Sequence, residues 1–234
     1  MKRYRNEWKY VIPAAMALEL REELAAMMDS DPHAGADGYY RVHSLYFDNI
    51  DNTCARENIA GERLRFKYRI RFYDIYDGTL FLERKEKFNS LCHKDSCIIS
   101  EDELSALIDG GYGALMWNKD RSLLSRFATD IAREHFTPKS VVDYERCALT
   151  EPVTNVRITF DRNVFVSAQT TGFITGDYDC IPAIDESREI LEVKFDDVLP
   201  GYLTRVLRTG RMDQQAYSKY YNSRILTGDY REVV

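Results

Sequence analysis

The sequence predicts an α+β fold in which a largely antiparallel sheet closes into a β-barrel with helices packed outside. Three observations predict it. Tyrosine and phenylalanine are frequent, at 16 and 11 residues of 234, and aromatic residues favour strands. Several segments alternate charged and apolar residues, as strands with two unlike faces do. Helical segments separate groups of strands rather than single strands, which favours an antiparallel sheet.

The composition indicates a globular chain that forms one domain over residues 1–234. Apolar residues make up 44% and charged residues 30%, which excludes a disordered chain. The net charge of -6 repels nucleic acid and anionic membranes at long range, so an anion site must be local. Five cysteines without a CxxC pair favour reduced thiols. Signal-peptide and membrane-span patterns are absent, so we expect a cytoplasmic protein.

The first half of the chain is predicted to contain five strands and one helix. Residues 3–11 alternate as a strand, and Pro13 opens an amphipathic helix over residues 13–28. Residues 29–38 form a loop by composition, and residues 39–48 return to strand alternation. Two long strands, 63–74 and 79–88, form a hairpin around the Asp-Gly pair at 77 and 78. A further strand covers residues 93–99.

The second half is predicted to alternate between helix pairs and strands. Ser100 and Glu103 form a capping box, so a helix covers residues 101–109 and ends near Gly110. A second helix covers residues 118–135, and Pro138 prevents its continuation. Strands follow at residues 140–149, 156–160, 163–168 and 189–195. Two helices, 199–209 and 214–226, complete the chain.

The most informative segment is RLRFKYRIRFYD, residues 63–74, because side chains along a strand point alternately to opposite faces. From residue 65 to residue 72, one face carries only cations, and the other is apolar or aromatic. The cationic face consists of Arg65, Lys67, Arg69 and Arg71. Like charges along one strand face repel each other, so we expect carboxylates or a bound anion among them.

Other strands also combine a charged face with a second face that is largely apolar. Glu7, Glu83 and Glu192 each precede a lysine by two residues on the same strand face. A lysine beside a glutamate fits a site that holds phosphate oxygens together with a hard cation such as Mg²⁺ or Mn²⁺.

Two arrangements are compatible with these patterns. In a half-solvated sheet, the apolar face covers the core and the charged face lies in water. In the alternative, the apolar faces point outward under helices and the charged faces enclose a ligand. The concentration of Arg and Lys on the strands of an acidic chain favours the enclosed arrangement.

At these residues the sequence resembles the triphosphate tunnel metalloenzymes, the CYTH-like superfamily. Within it, the closer resemblance is to the polyphosphate polymerase domain of the vacuolar transporter chaperone (VTC) family and to bacterial proteins that share this domain. The resemblance is carried, in order, by NEWKY, HSLYFDN, YRIRFYD, FLERKEK, VDYERCAL, VRITFDRNV, ILEVKF and YSKYYN. It implies a closed antiparallel eight-stranded barrel, the triphosphate tunnel.

The resemblance also implies roles for residues inside the tunnel. The cations that act on the transferred phosphoryl group would be Arg69, Arg71, Lys85, Arg146, Arg157 and Lys194. Further phosphate contacts would come from Lys9, Lys94 and Lys219. The divalent metal, Mn²⁺ or Mg²⁺, would be held by Glu192 first, with Glu83 and Glu7 behind it.

The implied reaction is metal-dependent phosphoryl transfer from a nucleoside triphosphate such as ATP to a growing polyphosphate chain. Two alternatives stay open, a triphosphate or polyphosphate hydrolase and a non-catalytic polyphosphate sensor. Nucleic acid is not an expected partner. A membrane partner is compatible with the resemblance, although this chain has no membrane segment of its own.

Overall fold

A computed structural model of the protein describes residues 3–73, 78–207, 212–215 and 217–228. Its strands, in chain order, are β1 (Arg5–Pro13), β2 (Asp29–Ser30), β3 (Tyr40–Asp48), β4 (Leu64–Tyr73), β5 (Leu80–Phe88), β6 (Leu91–Ile99), β7 (Thr137–Glu151), β8 (Val156–Ser167), β9 (Ile181–Pro182) and β10 (Arg188–Phe195).

The helices lie between these strands and after them. They are α1 (Ala14–Ala25), α2 (Thr53–Ile59), α3 (Glu101–Asp109), α4 (Ser122–Glu134), α5 (Gly201–Leu207) and α6 (Lys219–Leu226), with a 3₁₀ helix at Tyr112–Trp117 before α4. Within the described ranges, none of them combines the length and the apolar character that crossing a bilayer requires.

Eight of the strands form a ring. Their order is β7-β3-β4-β5-β6-β1-β10-β8, and β7 pairs with β8 to close it. Each recorded pairing is antiparallel. The short strands β2 and β9 lie beside β7 and β8. The α+β fold with an eight-stranded antiparallel ring and helices outside is therefore confirmed.

The apolar faces of the ring point outward and are covered. On one side, Tyr68 of β4 is fully buried and stacks on Phe127 of α4, with 4.3 Å between the ring centroids. On the other side, Leu20 and Leu24 of α1 pack in one buried cluster with residues of β8 and β10. Because helices cover the apolar faces, the charged faces point into the ring, and the half-solvated arrangement is excluded.

Several element boundaries differ from the sequence-based prediction. The strands expected at 156–160 and 163–168 form one continuous β8, because Asn163 adopts a left-handed conformation (φ 49°) and absorbs a register shift against β7. The helix expected at 118–135 is α4, which begins only at Ser122, and a 3₁₀ helix that was not predicted precedes it at Tyr112–Trp117. Helix α2 was not predicted, since its buried residues are the small Cys54 and Ala55 and it is only 7 residues long. The end of the helix expected at 199–209 lies outside the described residues.

Candidate functional site

The ring encloses a cavity of about 710 Å³. Among the described residues, nine Lys or Arg side chains line it, against two carboxylates, Asp31 and Glu83. A smaller cavity of about 40 Å³ lies beside α6 and shares the side chain of Lys85 with the first. The interior of this acidic protein is thus strongly cationic.

Glu83 of β5 forms ion pairs with three of the predicted cations. Its Oε2 accepts from Arg69 at 2.8 Å, its Oε1 lies 2.8 Å from Arg71 Nη2, and Lys94 Nζ donates to Oε1 at 2.7 Å. The strand register explains this cluster, because Arg69 lies directly opposite Glu83 on the neighbouring strand. Burial alone would raise the pKa of Glu83, but the three cations outweigh burial and hold the carboxyl group ionised.

A second cluster lies where β1 meets β10. The register places Glu7 opposite Lys194 and Lys9 opposite Glu192, so negative and positive side chains alternate both along and across the two strands. Lys9 Nζ lies 3.1 Å from Glu192, and Lys194 contacts Glu192 and lies 3.8 Å from Glu7. Lys85 from β5 also contacts Glu7. Burial and the neighbouring Glu192 would raise the pKa of Glu7, yet the surrounding lysines lower it.

A third cluster forms around Asp161 of β8, which is fully buried. Arg146 donates to both of its oxygens, at 2.7 and 2.8 Å, and Lys219 contacts it from the first turn of α6. Burial opposes ionisation, but Arg146 and Lys219 lower the pKa of Asp161 to about 2. At the rim, Arg157 pairs with Asp31 at 2.7 Å.

Helix α6 is fixed by its own buried contacts. Tyr220 donates from its hydroxyl to Asp48 at 2.6 Å and stacks on Tyr46, with 5.3 Å between the ring centroids. Tyr46 in turn accepts from Arg69 at 3.2 Å. Because Lys219 and Tyr220 are consecutive, this packing fixes the position at which the lysine enters the interior.

Lys67 differs from the other interior cations. Its Nζ lies 3.4 Å from Ser218 Oγ and 5.4 Å from the Tyr46 ring centroid. Among the residues that the structure describes, no carboxylate forms an ion pair with it. Burial, together with Lys85 and Lys9, lowers the pKa of Lys67 well below its usual value. An anion in the interior would relieve this repulsion.

All twelve residues proposed from the sequence lie in or next to the interior. The nine cations are Lys9, Arg69, Arg71, Lys85, Lys94, Arg146, Arg157, Lys194 and Lys219, and the three carboxylates are Glu7, Glu83 and Glu192. Their catalytic and binding roles stay predictions. The proposed set omitted Asp161, whose place on the same strand face as Arg157 was a usable signal. It also omitted Asp31, which the sequence places in a loop.

The carboxylates next to β1 fit a divalent cation better than Glu83 does. Glu7 Oε2 is buried and accepts no hydrogen bond from the described residues, although Lys87 Nζ lies 3.2 Å away. Mg²⁺ is usually bound by one or two protein carboxylates when substrate phosphates supply its other ligands. Cations contact both oxygens of Glu83 and both oxygens of Glu192. The preference for Glu7 and Glu192 therefore rests on their being a carboxylate pair that shares Lys194, whereas Glu83 has only cations as ion-pair partners. Within the described ranges, no group of three or more potential ligand side chains is arranged to hold a metal alone.

One solved structure, that of the HpAC1 protein, supports the ring fold, and two others are less similar. The HpAC1 protein of Hippeastrum, whose structure is described as revealing a dominant triphosphatase activity, is 15% identical over 96% of both chains, with a TM-score of 0.55. The PH1819 protein of Pyrococcus horikoshii is 14% identical over 96% of this chain and 99% of its own, with a TM-score of 0.49. An adenylate cyclase candidate from Bacillus halodurans is 14% identical over 88% and 87%, with a TM-score of 0.47.

Comparison of the sequence with functionally curated proteins gives no match. The family model described as the VTC domain matches residues 4–227. This match includes all eight strands of the ring and each of the three interior clusters. The chain therefore belongs to the VTC domain family.

Proposed function

We propose that this protein transfers the terminal phosphoryl group of a nucleoside triphosphate, such as ATP, to the end of an inorganic polyphosphate chain. The observation that supports this most is the enclosed cavity of about 710 Å³ with nine cationic side chains on its wall. A linear polyanion can approach many of these cations at once, whereas a small neutral substrate would leave their repulsion uncompensated. Membership of the VTC domain family agrees with a phosphate-chain ligand.

Phosphoryl transfer needs little covalent participation from a protein. Charge spreads over the phosphate oxygens in the transition state, so alignment and charge neutralisation provide most of the catalysis. We assign these tasks to Arg69, Arg71, Lys85, Arg146, Arg157 and Lys194, and further phosphate binding to Lys9, Lys94 and Lys219. The carboxylates keep these side chains extended into the interior before the substrate arrives.

We assign Glu192 and Glu7 as the residues that would hold Mn²⁺ or Mg²⁺. The metal would neutralise charge on the oxygens of the transferred phosphoryl group and of the leaving nucleoside diphosphate. Glu83 stays a candidate ligand, but its three ion pairs suit it better to orienting Arg69 and Arg71. When phosphate oxygens replace the carboxylates as partners of the lysines, Glu7 and Glu192 become available as oxygen ligands.

A hydrolase is the second candidate, favoured by the dominant triphosphatase activity described for the structurally similar HpAC1 protein. Water would then replace the polyphosphate end as the acceptor at the same site. The deciding experiment is incubation of the purified protein with ATP and Mn²⁺. Growth of a long phosphate polymer supports the polymerase, release of orthophosphate without polymer supports the hydrolase, and neither product supports a sensor.

Binding of tripolyphosphate is expected to take up protons near pH 8. Burial and Arg71 lower the pKa of Lys94 to about 8 despite its contact with Glu83, so about half of these amines are neutral at that pH. A bound anion favours the protonated amine and raises its pKa, so the proton is taken up from buffer. Affinity should consequently fall as the pH rises through about 8.

Isothermal titration calorimetry in two buffers of different ionisation enthalpy measures this uptake. A Lys94→Arg variant, which keeps the charge at every pH in this range, is the matched control and should take up less. Equal heats in both buffers at pH 8 for the unmodified protein would contradict the expectation.

A further inference from the structure

Three aromatic rings line the large cavity at the end of the ring where β4 and β5 are connected. They belong to Tyr40, Tyr73 and Phe81. The Tyr40 and Tyr73 ring centroids are 5.7 Å apart, and those of Tyr73 and Phe81 are 5.6 Å apart, both with edge-to-face geometry. The three rings form a continuous aromatic surface, which we call the aromatic mouth.

Strand alternation explains why the rings face inward. Tyr73 follows Arg71 by two residues on β4, and Phe81 precedes Glu83 by two residues on β5. All four side chains therefore share the interior face. Tyr40 is buried, whereas Tyr73 and Phe81 are only half-buried and present part of their rings to the cavity.

An inorganic phosphate chain gains little from these rings. Phosphate oxygens are bound by cations and N–H donors, and an apolar ring among them leaves apolar surface in a polar cavity. A nucleobase is different, because every base has a π-face that stacks on aromatic side chains. The aromatic mouth therefore fits the base of a nucleoside triphosphate, whereas the cations fit its phosphates.

The position of Arg71 connects the two parts of such a ligand. Its guanidinium carbon lies 4.8 Å from the Tyr73 ring centroid, and its Nη2 lies 2.8 Å from Glu83. A base on the aromatic mouth would thus place the first phosphates beside Arg71. The terminal phosphate would then lie deeper, towards Lys85 and the carboxylates of Glu7 and Glu192.

We propose that Tyr73 and Phe81, with Tyr40 behind them, form a stacking site for the base of a nucleoside triphosphate. The proposal rests on the function proposed above, since it concerns the donor of that reaction. Stacking tolerates different bases. The aromatic mouth therefore selects nucleoside triphosphates over inorganic triphosphate, without strong selection of adenine over guanine.

The test compares the affinities of ATP and tripolyphosphate by calorimetry, in metal-free buffer so that no turnover is needed. Phe81→Ala and Tyr73→Ala are each expected to weaken ATP binding by roughly 5- to 150-fold, and to change tripolyphosphate binding by less than about 2-fold. Tyr73→Phe keeps the ring and should retain the affinity for ATP. Phe88→Ala, at the exposed outer end of the same strand β5, is the matched control and should change neither affinity.

Two results would overturn the proposal. One is equal weakening of ATP and tripolyphosphate by Phe81→Ala, which would mean that the ring only shapes the tunnel. The other is an unchanged affinity for ATP in both alanine variants. The binding assay is independent of catalysis, so it separates the stacking site from the proposed reaction. If the unmodified protein binds ATP more tightly than tripolyphosphate and the alanine variants lose this difference, the stacking site is supported. If the same unmodified protein forms no polymer, only the polymerase function is refuted.

Discussion

Replacing Glu192 with glutamine is expected to lower metal-dependent phosphoryl transfer by on the order of 100-fold or more. The amide keeps the shape of the side chain but removes a negative charge from the carboxylate pair that Glu192 forms with Glu7. Phosphate binding should respond in the opposite way, because Lys9 and Lys194 lose a competing partner. The affinity for tripolyphosphate in metal-free buffer should therefore be retained or increased.

The measurement is the turnover number with Mn²⁺ beside the dissociation constant of tripolyphosphate without it. Glu145→Gln is the matched control, because Glu145 pairs with Arg162 at 2.8 Å on the outer face of the ring. Full activity of Glu192→Gln would remove this residue from the metal site. A parallel loss of tripolyphosphate affinity would instead indicate that Glu192 maintains the shape of the interior.

Replacing Glu83 with alanine is expected to lower the free energy of unfolding by about 3 to 5 kcal/mol. Glu83 is 1% exposed and is the shared partner of Arg69, Arg71 and Lys94. Its removal leaves three cations close together in the interior without a counter-charge. Chemical denaturation of the ligand-free protein measures the loss.

Tripolyphosphate should reverse much of this destabilisation, because it supplies the missing negative charge and binds only the folded protein. The rise in melting temperature on adding tripolyphosphate should consequently be larger for Glu83→Ala than for the unmodified protein. Glu145→Ala removes an outer, partly exposed ion pair and should change stability by about 1 kcal/mol or less. An equal ligand response in both proteins would show that the cations around Glu83 do not contact the phosphate chain.

Strand positions and faces were predictable from the sequence where the alternation of polar and apolar residues extended over many positions. In β4, four cations alternate with five apolar or aromatic residues over the nine positions from Leu64 to Phe72, so one face had to be cationic. Helix α2 escaped prediction because a short helix with small buried residues has no clear period. The continuity of β8 through Asn163 depends on a register shift against β7, and such a shift arises from pairing between strands.

The interior was predictable as a set of residues but not as a set of pairs. The alternation of residues along each strand predicts which face Glu83 and Arg69 occupy. Their contact depends on the register between β4 and β5, which the sequence does not show. The same holds for Asp161, which meets Lys219 only because α6 packs through Tyr220 on Asp48. Contacts between distant segments need the closed ring, so the sequence pattern places Asp161 on the same face as Arg157 but does not identify Arg146 and Lys219 as its partners.

In the proposed function, the inward-facing cations bind a phosphate chain. Titration of tripolyphosphate into the unmodified protein and into Arg71→Ala tests this claim most directly, with Arg188→Ala, on an exposed side chain, as the control. We expect binding to the unmodified protein, a loss of about 1.5 to 3 kcal/mol of binding free energy in Arg71→Ala, and no change in the control. Absence of binding to the unmodified protein, or equal binding by all three proteins, would contradict the claim.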